Sequence, residues 1–341
     1  MTEAGRLRTA AGTALLALIA ACSVPAVAAE PEPPPGVLTL QIENDLFARS
    51  DQNYTSGFRI AYAAPLGPSH PLESTARALP LMGGPMRYAY SLGQQLYTPR
   101  DISASQPILT DEPYAGYLYL GIAIESEPPR EHGPRILSSF ELQVGIVGPA
   151  ALGEQTQNAA HNIFNSEEAN GWDNQLKNEP TLNLFYDRAW IGWYETRIGQ
   201  AGSGYRIDLS PHVGAALGNV YTYAAAGATL RFGPNLPASL GPRTLRPGPP
   251  GSNYYKTAPD GRWHLFLALE GSAVARNIFL DGNTFTDSQS VDKYPYVGEA
   301  RVGIAMTLGR YRLAYAHVFP TKQFHGQDPD SFGSVSISTD F

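Results

Sequence analysis

The feature that most constrains this chain is a period-two alternation of apolar and polar residues, repeated in segment after segment. From Val37 to Glu43, Leu38, Leu40 and Ile42 share one face while Thr39, Gln41 and Glu43 share the other. From Tyr205 to Ala215, Tyr205, Ile207, Leu209, Val213 and Ala215 oppose Arg206, Asp208, Ser210, His212 and Gly214. Trp263, Leu265, Leu267 and Leu269 repeat the pattern. Ala300, Val302, Ile304, Met306 and Leu308 do so again, with Glu299, Arg301 and Thr307 on the opposite face. A soluble sandwich also alternates. Here the runs reach about ten residues or more and the polar face carries full charges, the pattern of a membrane barrel with lipid outside and a polar lumen. The last segment, Val335 to Phe341, alternates and stops on an aromatic residue. A terminal Phe on an amphipathic strand is the signal attributed to outer-membrane assembly machinery in Gram-negative bacteria. An exposed edge at that place would be an aggregation liability, and closure removes it.

The expected fold is all-β, a twelve-stranded antiparallel transmembrane β-barrel. Strands are expected near 37–47, 54–65, 87–98, 114–126, 136–148, 179–195, 203–216, 219–233, 262–276, 292–308, 310–319 and 331–341. An even count puts both termini in the periplasm. Outside connections are then 48–53, 99–113, 149–178, 217–218, 277–291 and 320–330. Inside connections are 66–86, 127–135, 196–202, 234–261 and 309, two of them longer than barrels usually allow. The Pro- and Gly-rich stretch from Leu236 to Gly251 reads as irregular loop. The one helix expected is short and lies in the longest outside connection, within 152–172. There Ala160, Ile163, Phe164 and Glu167 fall near helical spacing, and Gln157 and His161 share a face.

Upstream, residues 1–28 read as a signal peptide. Arg6 and Arg8 precede an apolar run from Ala10 to Ala21, and Ala26-Val27-Ala28 offers a small-residue cleavage site. A lipoprotein signal at Ile19-Ala20-Ala21-Cys22 competes with this reading. Residues 29–36 form a Pro-rich leader and 37–341 the barrel. Cys22 is the only cysteine, so cleavage leaves no thiol chemistry and takes the net charge from −7 to about −8. An acidic chain argues against nucleic acid as a partner.

Chemistry concentrates at the outer end of the first hairpin. Glu43-Asn44-Asp45 closes one strand, and Asn53-Tyr54-Thr55-Ser56-Gly57 opens the next. Turn chemistry alone accounts for such residues in many loops. The expected topology, however, brings His161 on its helix toward Asn44, Asp45, Tyr54 and Thr55. Gln157, Asn158 and Glu167 share the segment with His161. This set could hold a general base, groups that orient it, and carboxylates able to bind a hard cation. No H-E-x-x-H or G-x-S-x-G arrangement is present. His212 and His264, alternating with apolar residues, are expected to line the lumen.

Glu43-Asn44-Asp45, Tyr54-Thr55-x-Gly57, Asp111-Glu112-Pro113-Tyr114-Ala115-Gly116, Gly145-Ile146-Val147-Gly148-Pro149 and Gln157-Asn158-Ala159-Ala160-His161 together resemble the outer-membrane lipid A 3-O-deacylase family. The resemblance runs in the family's order over most of the mature chain. It implies a barrel in the outer membrane of a Gram-negative bacterium and an active site at the outer-leaflet rim. It implies calcium-dependent hydrolysis of the 3-linked acyloxyacyl group of lipid A within lipopolysaccharide. By matching positions, His161 would be the general base, with Asn44, Asp45, Thr55, Gln157 and Glu167 completing the site. Asp45 and then Glu167 would be the Ca2+ ligands. The resemblance departs in the loop after the third strand, where Arg100 is the only base. An outer-leaflet phospholipase and a non-catalytic structural or pore barrel are the rival readings.

Overall fold

The computed structural model describes residues 36–45, 53–128, 131–164, 169–199, 204–234, 236, 240, 245, 248, 253, 258–328 and 331–340. The chain divides into a short unit, 1–34, and a compact unit, 35–341. The signal peptide, most of the leader, Cys22, Glu167 and the terminal Phe341 lie outside the described residues.

Thirteen strand segments form one antiparallel sheet. They are β1 (Val37–Asn44), β2 (Asn53–Pro65), β3 (Met86–Thr98), β4 (Ala115–Ser126), β5 (Arg135–Val147), β6 (Glu179–Ile191), β7 (Tyr194–Ile198), β8 (Tyr205–Gly218), β9 (Tyr221–Gly233), β10 (Ala258–Asn277), β11 (Tyr296–Gly309), β12 (Tyr311–Pro320) and β13 (Phe332–Asp340). Apart from β6 and β7, each pairs with its neighbours in sequence, and β1 pairs with β13 from Val37↔Asp340 to Asn44↔Gly333. β6 and β7 make a single stave. Both pair with β8, and a bulge around Gly192 interrupts them between Ala189↔His212 and Tyr194↔Leu209. The barrel is therefore twelve-stranded, as the alternation requires. No helix among the described residues is long and apolar enough to cross a membrane. The crossing is done by strands.

The period-two pattern sorts side chains as expected. Leu38, Leu40, Ile42, Leu120, Val144, Leu182, Leu269, Val302 and Ile304 are exposed on the outer surface. Gln41, Glu43, Glu125, Glu141, Asp208, His212, Arg231, His264 and Arg301 are buried inside. Inward charges are paired. Arg231 Nε donates to Asp208 Oδ1 at 2.9 Å and its second arm reaches Oδ2. His212 Nε2 lies 3.0 Å from Glu270 Oε2, and Arg301 donates to Glu299 at 3.1 Å.

Two features differ from expectation. Besides α2 (Gly153–Phe164) in the long outside connection, short helices form at α1 (Glu73–Ala78) and α3 (Ile278–Asp281). α1 sits in the first long inside connection. α3 is capped by Asn277, whose side chain accepts from Phe279 N–H, and it buries Ile278, Phe279 and Leu280. The second long inside connection is also more than a surface loop. Leu240, Leu245 and Asn253 are buried. Leu245 N–H donates to Glu43 Oε1 at 3.3 Å and Leu245 O accepts from Gln95 Nε2 at 2.9 Å. Asn253 accepts from Arg59 at 2.7 Å and donates to Glu125 at 2.8 Å. A periplasmic connection thus reaches through the lumen to the level of Glu43, the next-to-last residue of β1.

Candidate functional site

Along β1, the even positions Leu38, Leu40 and Ile42 face outward. Asn44 continues that parity, so its side chain belongs to the outer, lipid-side face and not to the lumen. β3 repeats the inversion. Tyr90 and Leu92 are exposed on the outer face, but the next positions of the same parity, Gln94, Leu96 and Thr98, are buried. β2 carries a bulge at Thr55, between the pairs Tyr54↔Tyr97 and Ser56↔Leu96. The extra residue places Thr55 Oγ1 2.6 Å from Thr98 Oγ1. Asn44 Nδ2 donates to Thr55 O at 3.2 Å. The outer ends of β1, β2 and β3 therefore join a polar patch on a face that is otherwise apolar. Asp45, fully buried, follows directly on Asn44.

A covering layer buries this part of the wall. Gly148 turns the chain with φ +104, where an added Cβ would lie 2.6 Å from the Lys177 backbone. Pro149 starts a 3-10 turn, Pro149–Ala151, that leads into α2. Thr156 Oγ1 donates back to Leu152 O at 3.0 Å. Glu154 in the first turn suits the helix dipole. α2 packs on β3 and β4, one strand further round than the first hairpin's rim. Gln94 Nε2 donates to Ala151 O at 2.6 Å. The approach is close because both sides are glycine: a Cβ on Gly116 would lie 3.2 Å from Gly153 Cα.

The stripe that α2 turns to the wall is Gly153 and Gln157, with half-buried His161 one turn on. Ile163, one of the residues at helical spacing, is 77% exposed. The inversion has the same cause as on the strands. A helix laid over the outer face of a membrane barrel has the wall and its polar patch on one side and an apolar surrounding on the other.

Gln157 is 3% exposed and accepts from Trp172 Nε1 at 2.7 Å through Oε1; among the described residues its Nε2 has no hydrogen-bond partner. Trp172 belongs to a 3-10 turn, Trp172–Asn174, and not to the helix as expected. It packs with Leu96, Ile102, Tyr114 and Ala169. The Asp111-Glu112-Pro113-Tyr114 motif holds this layer together. Asp111 accepts from Arg100 N–H at 2.9 Å, Gln289 Nε2 donates to Asp111 O at 2.9 Å, and Tyr114 OH donates to Ile102 O at 3.1 Å. Arg100, the lone base of its loop, pairs with Asp328 of the last outside loop.

On the lumen side of the same wall, Glu43 accepts from Tyr54 OH at 2.8 Å and from Gln41 Nε2 at 3.0 Å. Tyr97, Tyr221 and Gln95 bond to one another beside it. Glu43 is thus a luminal anchor, while its neighbour Asn44 serves the outer patch. His212 and His264 lie in the lumen wall as expected, away from the patch. Among the described residues no three His, Cys, Asp or Glu side chains converge as a metal cage. Asn44, Thr55 and Thr98 offer oxygen and amide groups at the outer patch, and the buried carboxylate of Asp45 follows Asn44 in the chain; oxygen donors of this kind suit a hard cation. Trp172 and Thr98 were not singled out by sequence. Both carried a signal: Thr98 is a polar residue at lipid-facing parity, and Trp172 closes a loop otherwise made of small and polar residues.

A family model described as outer membrane protein LpxR matches residues 14–341. Among solved structures, LpxR from Salmonella typhimurium aligns with a TM-score of 0.70 at 20% identity, over 89% of this chain and 100% of that one. The β domain of the Bordetella autotransporter BrkA aligns at 0.43 and 9% identity, over 91% and 100%. The translocator domain of NalP from Neisseria meningitidis aligns at 0.38 and 8% identity, over 99% and 98%. No curated protein matches the chain.

Proposed function

From the premise that the chain belongs to the LpxR family of outer membrane proteins, we propose that it is an outer-membrane carboxylic ester hydrolase that removes the 3-linked acyloxyacyl group of lipid A. The observation that carries this reading is the polar patch on the lipid-facing side of the wall, at its outer end, where β3 also seats α2. A luminal site would meet water-soluble substrates. A site on the outer face meets an ester whose acyl chains lie in hydrocarbon and whose sugars lie in water.

In this reading His161 takes a proton from a water molecule, and that water attacks the ester carbonyl carbon. Gln157 Nε2, an amide donor held out of bulk water, stabilises the oxyanion as it forms. Asn44 and Thr55 keep the wall side of the cleft rigid through their mutual bond and Thr98. The tetrahedral adduct then collapses. The C–O bond to the sugar breaks, and His161 returns its proton to the departing 3-hydroxyl. A fatty acid and a 3-hydroxyl sugar are the products. Asp45 and Glu167 would hold calcium, which when bound polarises the ester carbonyl.

Mass spectrometry of lipid A from cells with and without the protein tests the reading. The expected result is a lipid A lighter by one acyloxyacyl group only when the protein is present. Unchanged lipid A together with fatty acid released from phospholipid would replace the proposal with a phospholipase. Chelation should abolish fatty-acid release and added calcium should restore it.

A further inference from the structure

We propose that Trp172 is a positioning residue that sets which end of the Gln157 amide the reaction meets. This rests on the reading of Gln157 as a donor at the site. An amide side chain can rotate by half a turn and offer oxygen where it had offered nitrogen, at almost no steric cost. In a site that must stabilise developing negative charge, the flipped amide would present an acceptor and repel it. Something has to decide the orientation. An indole N–H is a donor only. Trp172 Nε1 lies 2.7 Å from Gln157 Oε1, so the oxygen is committed to the indole and Nε2 points the other way. Nε2 is buried and has no hydrogen-bond partner among the described residues, a cost a fold tolerates where a ligand supplies the missing acceptor.

Trp172 is itself well fixed. It is 2% exposed and its ring lies 5.0 Å from that of Tyr114, within the cluster that also includes Leu96 and Ile102. Its far edge bears on the start of α2: a Cβ on Gly153 would lie 2.7 Å from Trp172 Cη2. The indole thus meets the helix at two places one turn apart. The ring sets the distance of α2 from the wall, and the N–H sets the amide.

The test separates donor from bulk. Trp172→Phe keeps a ring but loses the N–H. Replacement of Trp172 by benzothienylalanine keeps the bicyclic shape and puts sulfur where the N–H was, so it remains informative if the Phe variant does not assemble. Fatty-acid release from lipid A is measured on heat-modifiable protein. The expected result is a roughly tenfold fall in kcat for the benzothienyl protein with KM within twofold of wild type. In a Gln157→Ala background the same replacement should cause no further loss, because it acts only through the amide. A full additional loss in that background would make Trp172 a packing residue and overturn the proposal. Wild-type kcat in the benzothienyl protein, with Gln157→Ala impaired, would also overturn it while leaving Gln157 in its role. Wild-type kcat in Gln157→Ala itself would remove Gln157 from the mechanism and take this proposal with it.

Discussion

At the scale of the residue, His161 is the side chain on which the proposed chemistry depends most. It sits half-buried in the last turn of α2, one turn after Gln157, over a wall whose polar groups are otherwise amides and hydroxyls. A base for water needs to be neutral and within hydrogen-bond reach of it, and imidazole is the side chain that meets both near neutral pH. His161→Ala should lower turnover by roughly 10²–10⁴ and leave detergent-resistant folding intact, since a covering helix contributes little to ring closure. Asp45→Ala should also lower turnover, but millimolar calcium should restore part of it, whereas no calcium concentration should rescue His161→Ala. Near wild-type release from the His161 variant would move the base elsewhere. His161, Gln157, Asn44, Asp45 and Thr55 stand out as candidates by their order and type. Which face they occupy was not legible, because the polar triplet Glu43-Asn44-Asp45 reads as one cluster. Strand parity divides it: Glu43 goes to the lumen and its bonds to Tyr54 and Gln41, Asn44 to the outer patch and its bond to Thr55 O.

At the scale of the element, α2 and the wall beneath it are joined by an absence of side chains. Gly116 on β4 and Gly153 at the helix start approach so closely that a Cβ on either would lie 3.1–3.2 Å from the other's Cα. Gly116→Val should lift the helix from β4, displacing Gln157 and His161 relative to Asn44 and Thr55. A displacement of about an ångström in a preorganised site costs roughly 10²-fold in rate. The expected variant is an intact heat-modifiable barrel with turnover reduced on that order. Full activity would mean that the helix tolerates a wider gap and that its seat is not what places the site. The helix itself was expected from spacing, but its buried stripe was not. An amphipathic pattern assumes a dry side and a wet side, and here Ile163 is exposed while Gln157 is buried. The same assumption hid the bulge at Thr55, which no period reveals because a bulge is one residue that breaks the period.

At the scale of the whole molecule, Leu245 and Asn253 of the connection between β9 and β10 occupy part of the lumen. Ring closure and strand number followed from alternation alone, since each strand must divide lipid from lumen. The luminal segment did not follow, because its bonds join residues far apart in sequence: Leu245 to Glu43 and Gln95, Asn253 to Arg59 and Glu125. A Pro- and Gly-rich stretch reads as surface loop when only its neighbours are considered. The backbone of Leu245 instead finds partners on β1 and β3, so burial leaves its N–H and C=O satisfied. Asn253 stands between Arg59 and Glu125, donating to the acid and accepting from the base, and so links two buried charges. A pore with this interior should not conduct. Purified protein in planar bilayers is expected to give no stepwise current. Replacing residues 236–253 with a short Gly-Ser linker should leave the ring of strand pairs closed, because the flanking strands β9 and β10 lie outside the replaced span, and should admit a measurable current. The same variant should lose stability, since Glu125 and Arg59 would each forfeit a buried hydrogen bond worth about 1.5–3 kcal/mol to a charged group. Gel mobility before and after heating reports whether the ring survives. A replaced segment with no current would assign the blockage to the bonded side chains on the wall, among them Arg231 with Asp208 and His212 with Glu270, and leave the segment as a brace beneath the outer patch.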